Sequence, residues 1–470
     1  MKDEEEKGGI MNRFRGFLSG FSRGFIVIVC LLTGATRLHS AEEVWAWGWN
    51  GGGQLGDNTR TDRWEPIQTH NLTDIIAIAA GHEHSLALKS DGTVWAWGYN
   101  LYGELGDNTT TWRWEPVQTH NITDVIAIAA GRNHSLTLKS DGTVWAWGRN
   151  WMGQLGDNTT TNRFEPVQTH IADVISIAAG HEHSLALKSD GTVWAWGENY
   201  CGQFGDGTFT DRLEPIQTHI ADVIAIAGGC VHSLALKSDG TVWACGADGY
   251  GQLGDNTTCT DSLEPVQTHI TDVIAIAAGY GHSLALKSDG TVWAWGWNDR
   301  GQIGDNTTTN RFEPVQTHIA DIIAIAAGFE HSLALKSDGT VWAWGCNSNH
   351  GQLGDSTTTN RFEPVQTHIL TNVSAIAAGH YHSLAVANVL GIEESENDEL
   401  GIMDYKLQAY PNPFRSVTSI QNQVSSIQVY DLSGRLIETT KGNTIGKNLK
   451  PGVYFLKAEG YKPVKVIKLR

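Results

Sequence analysis

The chain has 470 residues, a formal net charge of −18 at neutral pH, 53 glycines and 19 tryptophans. The length suggests about two to four domains, and the glycine and tryptophan content points to short strands, tight turns and recurring aromatic motifs. Residues 405–470 carry 11 Lys and Arg against 3 Asp and Glu, so residues 1–404 hold 22 against 48. That acidic body lacks the basic footprint a phosphate backbone requires, and excludes nucleic acid as the expected partner.

The first element in chain order reads as an export signal. Arg13, Arg15 and Arg23 precede the apolar run Phe25–Leu32, and small residues lead to Ser40-Ala41. Eight apolar residues are too few for a bilayer, which takes about 20, so residues 1–41 are expected to be a cleaved signal peptide. The acidic stretch Asp3–Glu6 fits a signal badly and favours a start at Met11. Cys30 lies in the run, but bulky Val29 before it argues against a lipid anchor. No transmembrane span is expected in the mature chain. Cleavage leaves Cys201, Cys230, Cys245, Cys259 and Cys346, an odd number, so at least one is unpaired or pairs between chains.

Self-similarity dominates the chain beyond the signal. Val-Trp-Ala-Trp-Gly begins at 44, 94, 144, 193, 292 and 341, with Val-Trp-Ala-Cys-Gly at 242, so the spacing is 49 or 50 residues. Each repeat holds four short β-branched, aliphatic or aromatic runs punctuated by Gly, Asp, Asn and Pro. In one repeat the expected strands are Val117-Gln118-Thr119, then Val125–Ala129, Ser135–Leu138 and Val144–Trp147. Ser140-Asp141-Gly142-Thr143 makes a hairpin turn between the last two, because Gly and Asp tolerate positive φ. A four-stranded blade cannot bury both faces alone, so seven of them stack radially into a closed β-propeller over 42–390. The final His-Ser-Leu strand, Ser383–Ala387, has no Val-Trp-Ala-Trp after it, and Val44–Gly48 has no His-Ser-Leu before it. Pairing these orphans closes the ring and removes its open edges.

The loops sort onto two faces. Gly-x-x-His turns and the long Gly-Gln-Leu-Gly-Asp-Asn-Thr segments, read as connectors between blades, share one face, called the top; Lys-Ser-Asp-Gly-Thr turns lie at the bottom. Differences between repeats concentrate on top, which reads as a varied binding surface on a uniform scaffold.

The repeats resemble those of the regulator of chromosome condensation family, through Trp-Gly-x-Asn-x-x-Gly-Gln-Leu-Gly at 147–156 and Ala-Ala-Gly-His-Glu-His-Ser-Leu-Ala-Leu at 178–187. The resemblance covers about 44–387 and implies a seven-bladed propeller. The founding member exchanges guanine nucleotide on a small GTPase in the nucleus. No small GTPase is expected here, since the chain reads as exported, lacks a basic tail and has no long blade insertion.

Glu393–Glu399 mark an acidic linker, 391–404. Beyond it, short alternating runs with Asx-Pro and Ser-Gly turns suggest a small β-sandwich over 405–470. Tyr410-Pro411-Asn412-Pro413-Phe414, Val429–Ile437 and Gly452–Leu456 resemble the C-terminal sorting domain of type IX secretion, which implies engagement of export machinery and removal of the tail.

Signals for chemistry are weak. Seven histidines precede Ser-Leu, such as His84, and seven follow Gln-Thr, such as His70. Equivalents on seven blades cannot converge on one ion, so structural hydrogen bonding is expected, with no metal, no cofactor and no catalytic residue. The leading expectation is a secreted or surface binding scaffold for a protein or glycan; the rivals are a structural surface component and a hydrolase with a site at the channel. Thirteen tryptophans belong to the repeated frame, while Trp49, Trp64, Trp112, Trp114, Trp151 and Trp297 lie in top-face connectors. The first five, with Tyr99 and Tyr102, are expected to form the partner-binding patch, Trp64 and Trp114 doubling as loop anchors. Cys201 and Cys230 lie near one rim and are a disulfide candidate.

Overall fold

The computed structural model describes residues 42–257, 260–368 and 370–388, and in the tail the strands within 409–468. The export signal, Met11, Cys259 and the linker lie outside the described residues. Every regular element among those described is a strand, and none of them includes a helix long and apolar enough to cross a membrane.

Blade 1 consists of Ile75–Ala80, His84–Lys89, Val94–Gly98 and Arg113–Gln118, hydrogen-bonded in that order and antiparallel throughout. Blades 2 to 6 repeat it from 125 to 366. Blade 7 is split: Val373–Ala378 and His382–Asn388 supply its inner half, Glu42–Gly48 and Arg63–Gln68 its outer half. The expected pairing of the two orphan strands is therefore present, and the N-terminal side contributes two strands rather than one.

One strand assignment is corrected. The Glu-Pro-Val-Gln segment is the outermost strand of its own blade, not the first of the next. Ala96 pairs with Val117 and Trp95 with Gln118, and Thr119 already leaves the strand, its hydroxyl donating to the Leu105 carbonyl at 3.1 Å. The Gly-Gln-Leu-Gly-Asp-Asn-Thr loops thus lie within blades. Between Ala96 and Gly98 the register slips, so one residue faces Trp114, Glu115 and Pro116. Proline is tolerated there because a bulged outer edge needs no ladder donor, and it discourages pairing with another chain. Both loop types assigned to the top remain on one face.

Apolar packing between blades is the main glue. Trp97 of blade 1 is buried with Val44, Ala46 and Leu55 of blade 7, and its indole donates to the Gln54 carbonyl at 2.8 Å. The Ser85 hydroxyl donates to the same carbonyl at 2.8 Å. Its proton is thereby committed, so the His382 ring, 3.0 Å away, donates its Nε2–H to Ser85. The same His-to-Ser bond joins every adjacent pair of blades at 3.0–3.1 Å. These seven rings are fully buried; burial pushes most of them down to about 3 and His232 to about 4, so they are neutral. A second, exposed belt links His70 to Glu115 at 2.9 Å and repeats around the ring to His368 and Glu65 at 3.5 Å.

Blade 4 departs from the pattern. Cys245 replaces the buried tryptophan and reaches the Gln203 carbonyl with Sγ at 3.4 Å. Phe204 stands where the other repeats carry Leu or Ile and lines the small void beside Cys245, so one enlarged side chain partly compensates for one reduced one.

Residues Val44–Ala387 form one compact unit and the tail strands a second. The tail strands make two antiparallel sheets: Ala409–Tyr410, Thr418–Ile420 and Thr444–Ile445 in one; Leu436–Lys441, Ser426–Tyr430, Gly452–Lys457 and Val464–Lys468 in the other.

Candidate ligand-binding face

The top-face connectors are held by a repeated polar network. In blade 7, Leu55 N–H donates to Asn50 Oδ1 at 3.0 Å, Asn50 Nδ2 donates to Asp57 Oδ1 at 2.9 Å, and Arg63 pairs with Asp57 Oδ2 at 2.7 Å. Blade 1 repeats this with Asn100, Asp107 and Arg113. Blade 4 alone has Asp248 and Ser262 in place of Asn and Arg. There burial, with the nearby Asp255 carboxylate, pushes the Asp248 carboxyl up to about 6. Each connector is thus a rigid platform whose side chains at non-network positions are free to vary.

Aromatic residues fill those positions in blades 1 and 2. Trp112 lies 4.8 Å from Tyr99, Tyr99 6.3 Å from Tyr102, and Tyr102 5.4 Å from Trp151, between ring centroids. Arg60 caps Trp112 at 5.5 Å and Trp114 at 5.9 Å, while Arg149 caps Trp151 at 4.2 Å and Tyr102 at 5.7 Å. Trp112 is 37% exposed and Trp151 51%. The sequence-based patch is therefore brought together over four of its members. Trp49 stands apart: half-buried, it packs on His350 at 5.9 Å.

Trp64 and Trp114 do two things at once. They are 50% and 43% exposed, yet each seats on the neighbouring blade's connector. Gly53 has φ +87°, and a Cβ there would come within 2.5 Å of Trp114; Asn58 N–H donates to the Trp114 carbonyl at 2.9 Å. Trp64 meets Gly351 in the same way.

The disulfide is not formed: Cys201 and Cys230 are both buried free thiols. Burial pushes them up to about 11 and about 12, which keeps both protonated and poorly reactive. Among the described residues no group of three or more His, Cys, Asp or Glu is arranged to hold a metal.

Sequence reasoning missed the mouth of the central channel. The residue after each Ala-Ala-Gly (Ala-Gly-Gly in blade 4) converges there: His82, Arg132, His181, Cys230, Tyr280, Phe329 and His380 line a cavity of ≈ 200 Å³. Their backbones form a belt, His82 N–H to Arg132 O at 3.3 Å and onward to His380 N–H on Gly81 O at 3.2 Å. The signal was present as one of the two varied positions of the Gly-x-x-His turn, but period alone does not give radius.

A closed ring of seven four-stranded antiparallel blades, with most of its variation on one face, defines the molecule as a β-propeller of the repeat class. The chain belongs to the RCC1-like domain family, whose signature matches residues 18–272; regulator of chromosome condensation (RCC1) repeats match at 273–302 and 322–352, and again at 289–335 and 338–386. Human WBSCR16 is similar in structure, with 24% identity over 75% of this chain and all of that one, and a TM-score of 0.67. Prp20p from Saccharomyces cerevisiae is similar at 23% identity over 74% of this chain and 92% of that one, with a TM-score of 0.66. At these identities the likeness shows the fold alone. No curated protein matches the sequence. Residues 408–469 match the secretion system C-terminal sorting domain, which indicates secretion or attachment to the cell surface.

Proposed function

We propose that the protein is an exported, non-catalytic recognition module that binds an extracellular protein or glycan through the top face of its propeller. The observation that carries this reading is the run Trp112–Tyr99–Tyr102–Trp151, exposed at both ends and capped by Arg60 and Arg149. Rigid aromatic rings offer a large contact area at low entropic cost and dominate interface hot spots with arginine. The acidic body speaks against a nucleic-acid partner, and no feature of the face suggests a small GTPase.

Replacing Trp112 and Trp151 together with Ala, alone or with Trp49→Ala, is expected to abolish capture of the partner from extracellular material. The connectors are fixed by their own polar network, so the exposed replacements should cost within about 0.5 kcal/mol of stability each. Binding that survives in a folded triple variant overturns the assignment.

The domain plan that accompanies this function is a signal over 1–41, the propeller over 42–390, a linker over 391–404 and a sorting domain over 405–470, with export machinery engaging the tail. Intact-mass measurement of the exported form in its native host is expected to show loss near Ala41 and within the linker. An exported chain still ending at Arg470 overturns the second cut.

A further inference from the structure

Five aromatic rings from five blades close a circuit around the channel mouth. His82 stacks on His380 at 3.8 Å, His380 meets Phe329 at 3.9 Å, and Phe329 meets Tyr280 at 4.1 Å. Tyr280 lies 6.4 Å from His181, and His181 6.4 Å from His82. The scaffold does not demand this: the positions are equivalent by repeat, sit on the same Ala-Gly turns, and carry Arg132 and Cys230 in the two other blades.

The chemistry of the wall narrows the occupant. Arg132, the cation of the circle, is paired with the buried Glu182 at 3.5 Å, and Glu83 lies 3.3 Å from His82, so the positive charge open to an incoming anion is already offset by carboxylates. A cation meets Arg132, with Arg149 on the same Glu182 at 2.7 Å. Burial lowers both His181, to about 3, and His380, to about 2, so these rings are neutral and each offers one donor and one acceptor. The Nδ1 atom of His380 is buried and has no partner among the described residues. The same holds for Nδ1 of the seven inner-belt rings, so what distinguishes the mouth is its aromatic circuit. What remains is an uncharged ligand with a flat apolar face for stacking and hydroxyls at its edge.

We propose that the channel mouth is a second binding site, which takes one neutral hexose-sized ring, stacked against the Tyr280–Phe329–His380 wall with its hydroxyls toward the imidazole nitrogens. This deepens the reading of a recognition face, resting on it only for the choice of face. The backbone belt runs around the cavity as a collar, so its width is fixed by the fold, while the five rings set selectivity.

The test is saturation-transfer NMR on the full chain with methyl glucoside, methyl galactoside and methyl mannoside, beside choline and benzoate as charged probes. One hexoside is expected to receive saturation on its ring C–H protons and to lose at least tenfold in affinity in His380→Ala and in Tyr280→Ala; Phe329→Leu, which preserves volume better, is expected to weaken it less. Melting curves establish that the variants fold. Maltose and lactose form a second arm: saturation confined to the non-reducing ring identifies a glycan end as the source, and equal saturation of both rings overturns a single-ring site. The proposal also falls if no hexoside responds, if the response survives both Ala variants, or if choline or benzoate responds instead. Loss of the hexoside response in variants that still capture the partner confirms a separate site. An absent hexoside response beside partner capture that depends on Trp112 and Trp151 removes this inference alone.

Discussion

Two belts of seven histidines encircle this propeller, and they do opposite things with the same side chain. The inner rings are fully buried, neutral and bonded to the serine of the next blade. The outer rings lie half exposed beside a glutamate of the next blade, as His170 does with Glu214 at 2.7 Å. Both belts tie blade to blade with perfect repetition, so repetition alone does not tell which one holds the ring. Solvent does: a neutral bond in a dry interface must be made or the group stays unsatisfied, whereas an exposed pair exchanges one set of water contacts for another.

Acid is the broadest way to break that contrast. The inner rings titrate at about 3 to 4 when folded and near 6.5 when unfolded. The unfolded chain therefore binds more protons through this window, and stability is full above about pH 6.5 and falls as the pH drops toward 3. The connector carboxylates, such as Asp57, behave differently. Despite burial, bonds from Thr59 and Arg63 hold Asp57 below its ordinary value, so its contribution starts to fade only near pH 4 and below. Urea midpoints measured from pH 7 to pH 4 should hold nearly level to about pH 6.5 and then decline with growing steepness toward pH 4. A flat profile down to pH 4 contradicts the assignment of neutral buried rings.

Single substitutions sharpen the same comparison. His183→Ala opens a cavity in the interface between blades 3 and 4 and removes the donor to Ser233. It is expected to cost about 3 kcal/mol by urea unfolding at pH 7.

Much of this was legible in the sequence, and the misses are instructive. The seven copies and the orphan strands at 44–48 and 383–387 announce a closed ring because unpaired edges are costly. The membership of the Glu-Pro-Val-Gln strand was not legible, since Gln118 is close in sequence to both blades and only the fold of the connector decides. That fold was encoded in the Asn50, Asp57 and Arg63 spacing, a side-chain network with no strand-like periodicity. The Trp112–Tyr99 contact followed from proximity along one connector, while the circuit from His82 to His380 joins turns of five blades that lie far apart in the sequence.

Smallest of the expected effects is that of the outer belt. Glu214→Gln should shift stability by no more than about 1 kcal/mol, because the pair it weakens is exposed and screened. The same urea titration decides, and a cost matching that of His183→Ala erases the distinction between the belts.

The split blade gives the ring a single latch. Six blades are each cut from one stretch of chain, whereas the two halves of blade 7 have no hairpin between them and meet through the ladder between Glu42–Gly48 and His382–Asn388 and the side chains packed around it. Tension applied through the C-terminal tail arrives first at His382–Asn388, which is flanked on both sides by hydrogen-bonded neighbours. Withdrawing that strand breaks two ladders rather than one. The segment that any anchoring of the tail would pull on is thus also the one the fold holds from both sides.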